Sequence, residues 1–369
     1  CALPIFRANL PALFPGVEIL SAHLFRVIRD SDLELEQGDA DDLLETVDRS
    51  LRQLRRGAIS LVKVDADMPQ RVLDILTDNF EVGSDVMFKA PRRLGLADWW
   101  QIARLPRPEL KYAPMQAPSV WRPHEDPEVI FEQLRFGDVV VHHPYESFAT
   151  VEAFVRAAVR DPHVVAIKMT LYRIGANSPL IDLLLQAAEN GKQIAVVLEL
   201  QARFDERTNI TWARRLESHG VHVIYGFTHL KTHAKLCLVV RRDADGIRGY
   251  VHIGTGNYNA DTAKVYTDIG LFTADRDLVD DAGAVFNYLT GYSAQKDFKA
   301  LLVAPFQLRA RLTQLIETEA ANAAAGTPAR IVLKVNSLTD DQVIRALYRA
   351  SQAGVTIDLI VRGACCLRP

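Results

Sequence analysis

Residues 163–205 constrain the fold more than any other stretch of this chain. HVVAIKMTLY (163–172) is apolar almost without a break. Ser178 and Pro179 supply an N-cap and a first-turn proline for LIDLLLQAAEN, Gly191 closes that helix, and KQIAVVLELQARF is apolar again. A strand without polar alternation is buried on both faces, and two such strands joined by a helix are parallel neighbours, since antiparallel pairs need no such crossover. The unit recurs near the end. RIVLKVNSL (330–338) is a strand, Thr339 to Gln342 form a capping box before VIRALYRASQA, Gly354 ends the helix, and VTIDLIVRG is the second strand. With Gly191 set on Gly354 the two segments match, the pattern of an internal duplication. The expectation is a parallel sheet covered by helices on both faces, begun twice.

The section before these units reads differently. Acidic residues crowd the chain from Asp30 to Asp48, yet Leu43, Leu44, Val47, Leu51 and Leu54 recur at helical spacing, which assigns the charges to a solvated helix face. Between Leu105 and Pro127 six prolines exclude regular helix or central strand, so this stretch is a connection and the first boundary. The expected division is 1–115 for a mixed α+β section, 116–300 for the first α/β unit and 301–369 for the start of the second.

Chemistry concentrates at strand ends, where open parallel sheets hold ligands. In HLKTHAKLCLVVRR the apolar residues after Lys235 read as a strand, and a strand that included His233 and Lys235 would put both on one face, about 7 Å apart. HIGTGNYN (252–259) follows a second short strand, and the backbone N–H groups of a glycine-rich turn carrying Asn257 suit an anion. Arg173 follows MTLY, Arg203 follows LELQA and Arg362 follows DLIV, and guanidinium forks match phosphate oxygens. As a set these residues describe a polyanion site built around a phosphoryl group. Singly, each has a plainer reading: H-x-K is a strand-end histidine beside a surface lysine, and Arg203 is a salt-bridge partner for Asp205 or Glu206. Tyr266, alternating with Lys264 and Asp268 on an expected strand, either stacks on a base or fills core. His142 and His143 are adjacent on a strand, so at most one faces the site; His229 lies in a loop, and His219 and His222 flank a helix-to-strand turn, a structural position.

The balance of 43 basic against 46 acidic residues argues against a generally basic surface and a nucleic-acid partner, and leaves an anionic ligand to local clusters. The four cysteines, Cys1, Cys237, Cys365 and Cys366, show no zinc spacing, which fits a reduced, cytoplasmic setting. No apolar run approaches the roughly 20 residues that span a bilayer.

HHPYESF, IKMTLYR, ELQARFDERTNI, GVHVIYG, LKTHAK, HIGTGNYN, YTDIGLFTAD and LIVRGACCLRP together closely resemble the polyphosphate kinase family with phospholipase-D-like catalytic domains. LFPGVEI, FRVIRDSDLE and DADDLLE extend the likeness into the first hundred residues, as that family's head domain. The resemblance implies a mixed α+β head followed by a phospholipase-D-like α/β domain and the start of a second. It implies reversible transfer of the terminal phosphate of ATP to polyphosphate, with His233 phosphorylated, Lys235 beside it, Arg173 and Arg203 in the phosphate and magnesium region, and Tyr266 and Arg362 at ATP. A guanidinium has no lone pair for a metal, so those arginines are expected to hold phosphate oxygens that Mg2+ bridges. ATP, ADP and polyphosphate are the implied partners, in a homo-oligomer with peripheral membrane association. Further segments are implied on both sides, including a second catalytic histidine after Pro369, where the duplication also places the second His-Lys pair. A phospholipase-D-type phosphodiesterase is the rival enzyme, but its H-x-K-x-x-x-x-D motif would place aspartate where Val240 stands, and Asp243 comes three residues later. A non-catalytic polyanion binder is the other alternative.

Overall fold

The head section is a small sheet flanked by helices. In the computed structural model, which describes residues 2–30, 43–53, 57–90, 95–175, 178–202, 205–227, 230–291 and 297–369, it begins with helix α1 (Ala2–Leu13) and strand β1 (Phe25–Arg29). Helix α2 (Leu43–Gln53), strand β2 (Ile59–Asp65), helix α3 (Gln70–Phe80), strand β3 (Met87–Ala90) and the short helix α4 (Trp99–Ala103) follow. Strand β2 pairs antiparallel with β1 and parallel with β3, and Val62 and Val64 on its inward face pack with Met68 and Leu73. The apolar stripe of α2 is as the spacing indicated: Leu43, Val47 and Leu51 are buried, but they join the core of the following domain rather than that of the head. Leu54 and most of the acidic run lie outside the described residues. The proline-rich stretch carries no strand and only one turn of 3-10 helix, Pro108–Leu110, in keeping with prolines that neither donate nor fit a helix interior.

The central domain is built on seven strands. Helix α5 (Pro127–Phe136) leads to β4 (Val139–His143), α6 (Ala149–Arg160), β5 (Val164–Leu171), α7 (Pro179–Glu189), β6 (Gln193–Leu198), α8 (Glu206–Ser218) and β7 (His222–Tyr225). A hairpin of β8 (Leu236–Asp243) and β9 (Gly246–Gly254) comes next, then β10 (Asp268–Thr273) and α9 (Arg276–Leu289). The strand order is β4-β10-β9-β8-β5-β6-β7. Strands β5 and β6 are parallel, as the apolar runs indicated, and β7 pairs parallel with β6; β5-β8, β8-β9, β9-β10 and β10-β4 are antiparallel, so the sheet is mixed and not all-parallel. The cause is local. Asp243 pairs with Gly246 across a two-residue loop, and Gly246 takes φ +129°, a value open to glycine that lets the chain double back at once.

Both faces of the sheet are covered, as expected. Ile167, Met169, Val196, Leu198, Cys237 and Val239 face the core shared with α6, α7 and α8, while Val197, Leu236, Leu238 and Val251 point the other way onto Ala282, Val285 and Phe286 of α9. Alternate residues of one strand thus enter two cores, which is why those strands show no polar period. The last unit contains α10 (Leu308–Ala324), β11 (Arg330–Val335), α11 (Asp341–Gln352) and β12 (Thr356–Val361), with β11 and β12 parallel. Ile344, Leu347 and Ala350 of α11 pack with Ile316 of α10. Its helix is capped one residue later than the capping box implied: Asp340, not Thr339, accepts from Val343 N at 3.0 Å. Gly191 and Gly354 match in conformation too, each with positive φ just past its helix (+78° and +99°).

Candidate active site

The segment carrying His233 and Lys235 is not a strand. Strand β8 begins at Leu236, and its ladder with β5 stops at the Met169–Cys237 pair. Beyond that point the Thr170 hydroxyl takes the place of the ladder, donating to Ala234 O at 2.7 Å and accepting from Leu236 N at 2.9 Å. The segment peels away from β5 but stays tied to β9, because Gly254 N donates to Lys235 O at 2.9 Å. Strand-like placement of the two side chains on one face therefore does not hold; a side-chain hydroxyl has outcompeted the ladder.

The pair is nonetheless together. The Lys235 ammonium donates to the His233 carbonyl oxygen, and the imidazole meets the Tyr172 ring edge-on with centroids 5.0 Å apart. That ring also faces two cations, Lys235 Nζ at 5.4 Å and Arg173 Cζ at 5.8 Å. Arg173 Nε lies 3.4 Å from a carboxylate oxygen of Asp205. His233 is open to solvent, whereas Lys235 is 5% exposed. Crowding by the surrounding chain, then the charges of Lys235 and Arg173, lower the imidazole pKa to about 4. Burial pulls the Lys235 pKa down to about 8, Asp268 opposes that and Arg173 adds to it. At neutral pH the site therefore presents an uncharged imidazole with its lone pair free, flanked by an ammonium and a guanidinium.

The glycine-rich turn closes the other side. Thr255 Oγ1 donates to Asp268 Oδ1 at 2.8 Å, and Asp268 lies so close to Gly256 that a Cβ there would come within 2.7 Å of its carboxylate. Tyr258 anchors the turn in the core, its hydroxyl 2.8 Å from Nδ1 of the buried His252. Asn257 Oδ1 is shut off from solvent and has no hydrogen-bond partner among the described residues, so this amide keeps unused bonding capacity. Gly175, two residues past Arg173, would bring a Cβ within 3.1 Å of Asn259 Nδ2, so the arginine loop and the turn meet.

Tyr266 and Arg362 also come together. The Arg362 guanidinium sits over the Tyr266 ring at 4.9 Å, joining the central domain to the last unit. Tyr266 is not on a strand: it follows the 3-10 turn Thr262–Lys264, and β10 starts only at Asp268. Arg203 and His229 lie outside the described residues. Of the adjacent pair, His143 is buried with Nδ1 2.7 Å from Glu146 O, while His142 is exposed against Tyr145. His219 and His222 follow α8 and open β7, as expected of structural positions.

Three residues were missed in the sequence. Tyr172 was hidden as the last letter of an apolar run, although an aromatic next to a strand-end arginine is a usable signal. Glu199 and Asn209 gave a weaker one: a carboxylate breaking the apolar LELQA run and an amide inside a helix. Glu199 is 1% exposed, and Asn209 is fully buried with Nδ2 donating to Tyr172 O at 2.6 Å and Glu199 O at 2.9 Å.

Comparison with known proteins decides the family. Residues 4–102 match the polyphosphate kinase middle domain, 129–295 the C-terminal domain 1 and 301–369 the C-terminal domain 2. The chain belongs to the polyphosphate kinase family. A polyphosphate kinase of Synechocystis sp. is 50% identical over 99% of this chain and 52% of its own length, and one of Mycolicibacterium gilvum is 48% identical over 99% and 50%. The crystal structure of a polyphosphate kinase from Porphyromonas gingivalis superposes with a TM-score of 0.76 at 32% identity, covering 99% of this chain and 53% of that one. The chain thus spans about half the length of these relatives.

Proposed function

We propose that the protein of which this chain forms part is an ATP:polyphosphate phosphotransferase acting through phosphohistidine at His233. One observation carries the reading: His233 is an open imidazole kept neutral at physiological pH chiefly by the crowding of the surrounding chain, with the cations Lys235 and Arg173 beside it to suit a phosphoryl group. The imidazole nitrogen attacks the terminal phosphorus of ATP, an N–P bond forms, the bond to the bridging oxygen breaks and ADP leaves. Transfer to the terminal oxygen of a polyphosphate chain then restores the imidazole. Such transfers need alignment and charge neutralisation more than covalent help, and Lys235, Arg173 and Arg203 supply cations, with Asn257 in the turn facing the phosphates.

The residues fit magnesium only as an ion carried by phosphate. Among the described residues, the His, Cys, Asp and Glu side chains close enough to share one ion are His23, Asp65 and Asp67 of the head, not groups beside His233. When bound through phosphate oxygens, Mg2+ would add positive charge at the transferring group. Tyr266 and Arg362 are proposed to receive ATP, the ring face offering a stacking surface and the guanidinium a phosphate partner. Homo-oligomerisation, a cytoplasmic location and peripheral membrane association belong to the same proposal; among the described residues no helix is long and apolar enough to cross a membrane. Light scattering and vesicle co-sedimentation of the full-length protein test them.

The phosphodiesterase reading loses its acid. Asp243 ends β8 at the opposite end from Lys235, roughly 23 Å along the strand from Leu236, and is held by Arg241 and Tyr250. The direct test of the kinase is to incubate the full-length protein with ATP labelled at the γ-phosphate and map the label. It is expected on His233, stable in base and labile in acid, and absent from His233→Ala. Label persisting in that variant sinks the assignment.

A further inference from the structure

Glu199 follows the last residue of β6, in a place where a carboxylate is expensive. It is 1% exposed, burial raises its pKa, and hydrogen bonds from Thr232 N and Gln201 N and the charge of Lys231 only partly oppose that. A buried charge is retained where its bonds do something a neutral group cannot. Here the two carboxylate oxygens serve two different loops: Oε1 accepts from Gln201 N at 2.9 Å, and Oε2 accepts from Thr232 N at 2.7 Å. Both donors are backbone N–H groups, so the group between them must accept twice. A glutamine offers one acceptor and turns an NH2 on the other N–H. Gly226 makes the approach possible, since a Cβ there would lie 3.0 Å from Oε2 and 3.2 Å from Thr232 Oγ1.

The same residue ties in the third loop of the site. Its backbone N donates to Leu171 O at 3.0 Å, and Asn209 Nδ2 bridges its carbonyl and that of Tyr172. The loops that carry Tyr172 and Arg173, Gln201, and His233 are thus fastened to one side chain and its peptide. Among the described residues the carboxylate makes no hydrogen bond to the imidazole, and both of its side-chain partners are backbone N–H groups.

We infer that Glu199 is the positioning residue for His233: it fixes the peptide before the nucleophile, at Thr232, to the strand end that carries the phosphate-binding loops. The inference rests on the phosphohistidine reading. A nucleophile displaced by about 1 Å loses on the order of a hundredfold in rate, while ATP binding through groups that Glu199 does not touch stays as it was.

Glu199→Gln in the full-length protein tests this with three readouts: amide hydrogen exchange at Thr232, ATP affinity, and the single-turnover rate of His233 labelling at saturating ATP. Exchange at Thr232 is expected to speed up at least about tenfold and labelling to slow about 10- to 100-fold, with ATP affinity within about twofold. Glu199→Asp, which keeps two acceptors on a shorter stem, is expected to recover part of the rate. Faster exchange with an unchanged labelling rate overturns the inference, as does a loss explained entirely by weaker ATP binding or a lower melting temperature. Should neither variant fold, the unmutated protein decides: Thr232 and Gln201 amides must exchange more slowly than neighbouring loop amides, and equal rates overturn the tie. Absence of label on His233 with Glu199 intact would instead sink the kinase reading, a failure visible before any substitution is made.

Discussion

The two ends of β8 hold buried cations in opposite ways. At the far end Arg241 is 4% exposed and donates to Asp161 at 2.8 Å, to Asp243 at 2.6 Å and to Glu128. Burial alone would lower its pKa, and those hydrogen bonds outweigh burial and raise it. At the near end Lys235 is 5% exposed, its ammonium donates to a carbonyl oxygen, and its pKa falls to about 8 despite the attraction of Asp268. One cation lies on β8 and the other just before it, both nearly closed to solvent, yet their shifts are opposite: the clearest difference is the carboxylate within hydrogen-bond reach. A compensated cation is a structural part. One left short of negative charge suits an anionic ligand, such as the phosphates of the proposed reaction.

Substitution to methionine at the two ends should separate these roles by several kcal/mol. Arg241→Met leaves Asp161, 2% exposed, without its guanidinium partner and Asp243, 6% exposed, with the more distant cations Arg248 at 3.3 Å and Arg135 at 4.0 Å, and breaking a buried pair this way costs about 3–5 kcal/mol. Lys235→Met removes a desolvated charge with little compensation and should cost less than about 1 kcal/mol, while His233 labelling is lost. Urea unfolding of both variants beside the parent measures the contrast. Equal destabilisation at the two ends would break the comparison.

Arg173 probes the near end alone. Replacing it with Ala should slow labelling of His233 about a hundred- to a thousandfold, the usual cost of a lost charge-stabilising donor, and Arg173→Lys should recover only part, since a point charge lacks the fork. The titration has a fixed sign. Arg173 is one of the causes that depress the imidazole pKa to about 4, so its removal must move that pKa up, toward the ordinary histidine value. Histidine-selective NMR across pH 3–8 reads the shift, and an unchanged midpoint would mean that burial and Lys235 account for the whole depression.

Much of this was legible in the sequence. Apolar runs marked β5 and β6, and the same order of strand, capped helix, stop glycine and strand marked β11 and β12, whose outer faces the structure leaves exposed; these are all local signals. Mixed pairing was not legible, because whether β8 inserts beside β5 antiparallel depends on contacts between residues some 70 positions apart, such as Met169 with Cys237. His233, Lys235 and Asn257 could be singled out by residue type and spacing. Their backbone state could not, since the Thr170 hydroxyl that ends the ladder is distant in sequence from the segment it redirects. Tyr172, Glu199 and Asn209 escaped for a related reason: their neighbourhoods carry at most a weak signal, and the partner each one touches lies elsewhere along the chain.

The smallest effect concerns a third way of holding a cation, against an aromatic ring. Arg362 lies 4.9 Å over Tyr266, a residue 44% exposed, and an exposed pair of this kind is worth about 0.5–1 kcal/mol. A double-mutant cycle with Tyr266→Leu and Arg362→Met, followed by hydrogen exchange along β12, should return a coupling of that size without nucleotide. ATP that stacks on the ring and draws the guanidinium to its phosphates should change the coupling, because the two groups then interact through the ligand and not with each other. A coupling near zero without nucleotide would remove the aromatic from the comparison and leave Arg362, like Lys235, a cation waiting for charge. A coupling that nucleotide leaves untouched would mark the pair as a clasp between the central domain and the last unit, closer in kind to the Arg241 end of β8.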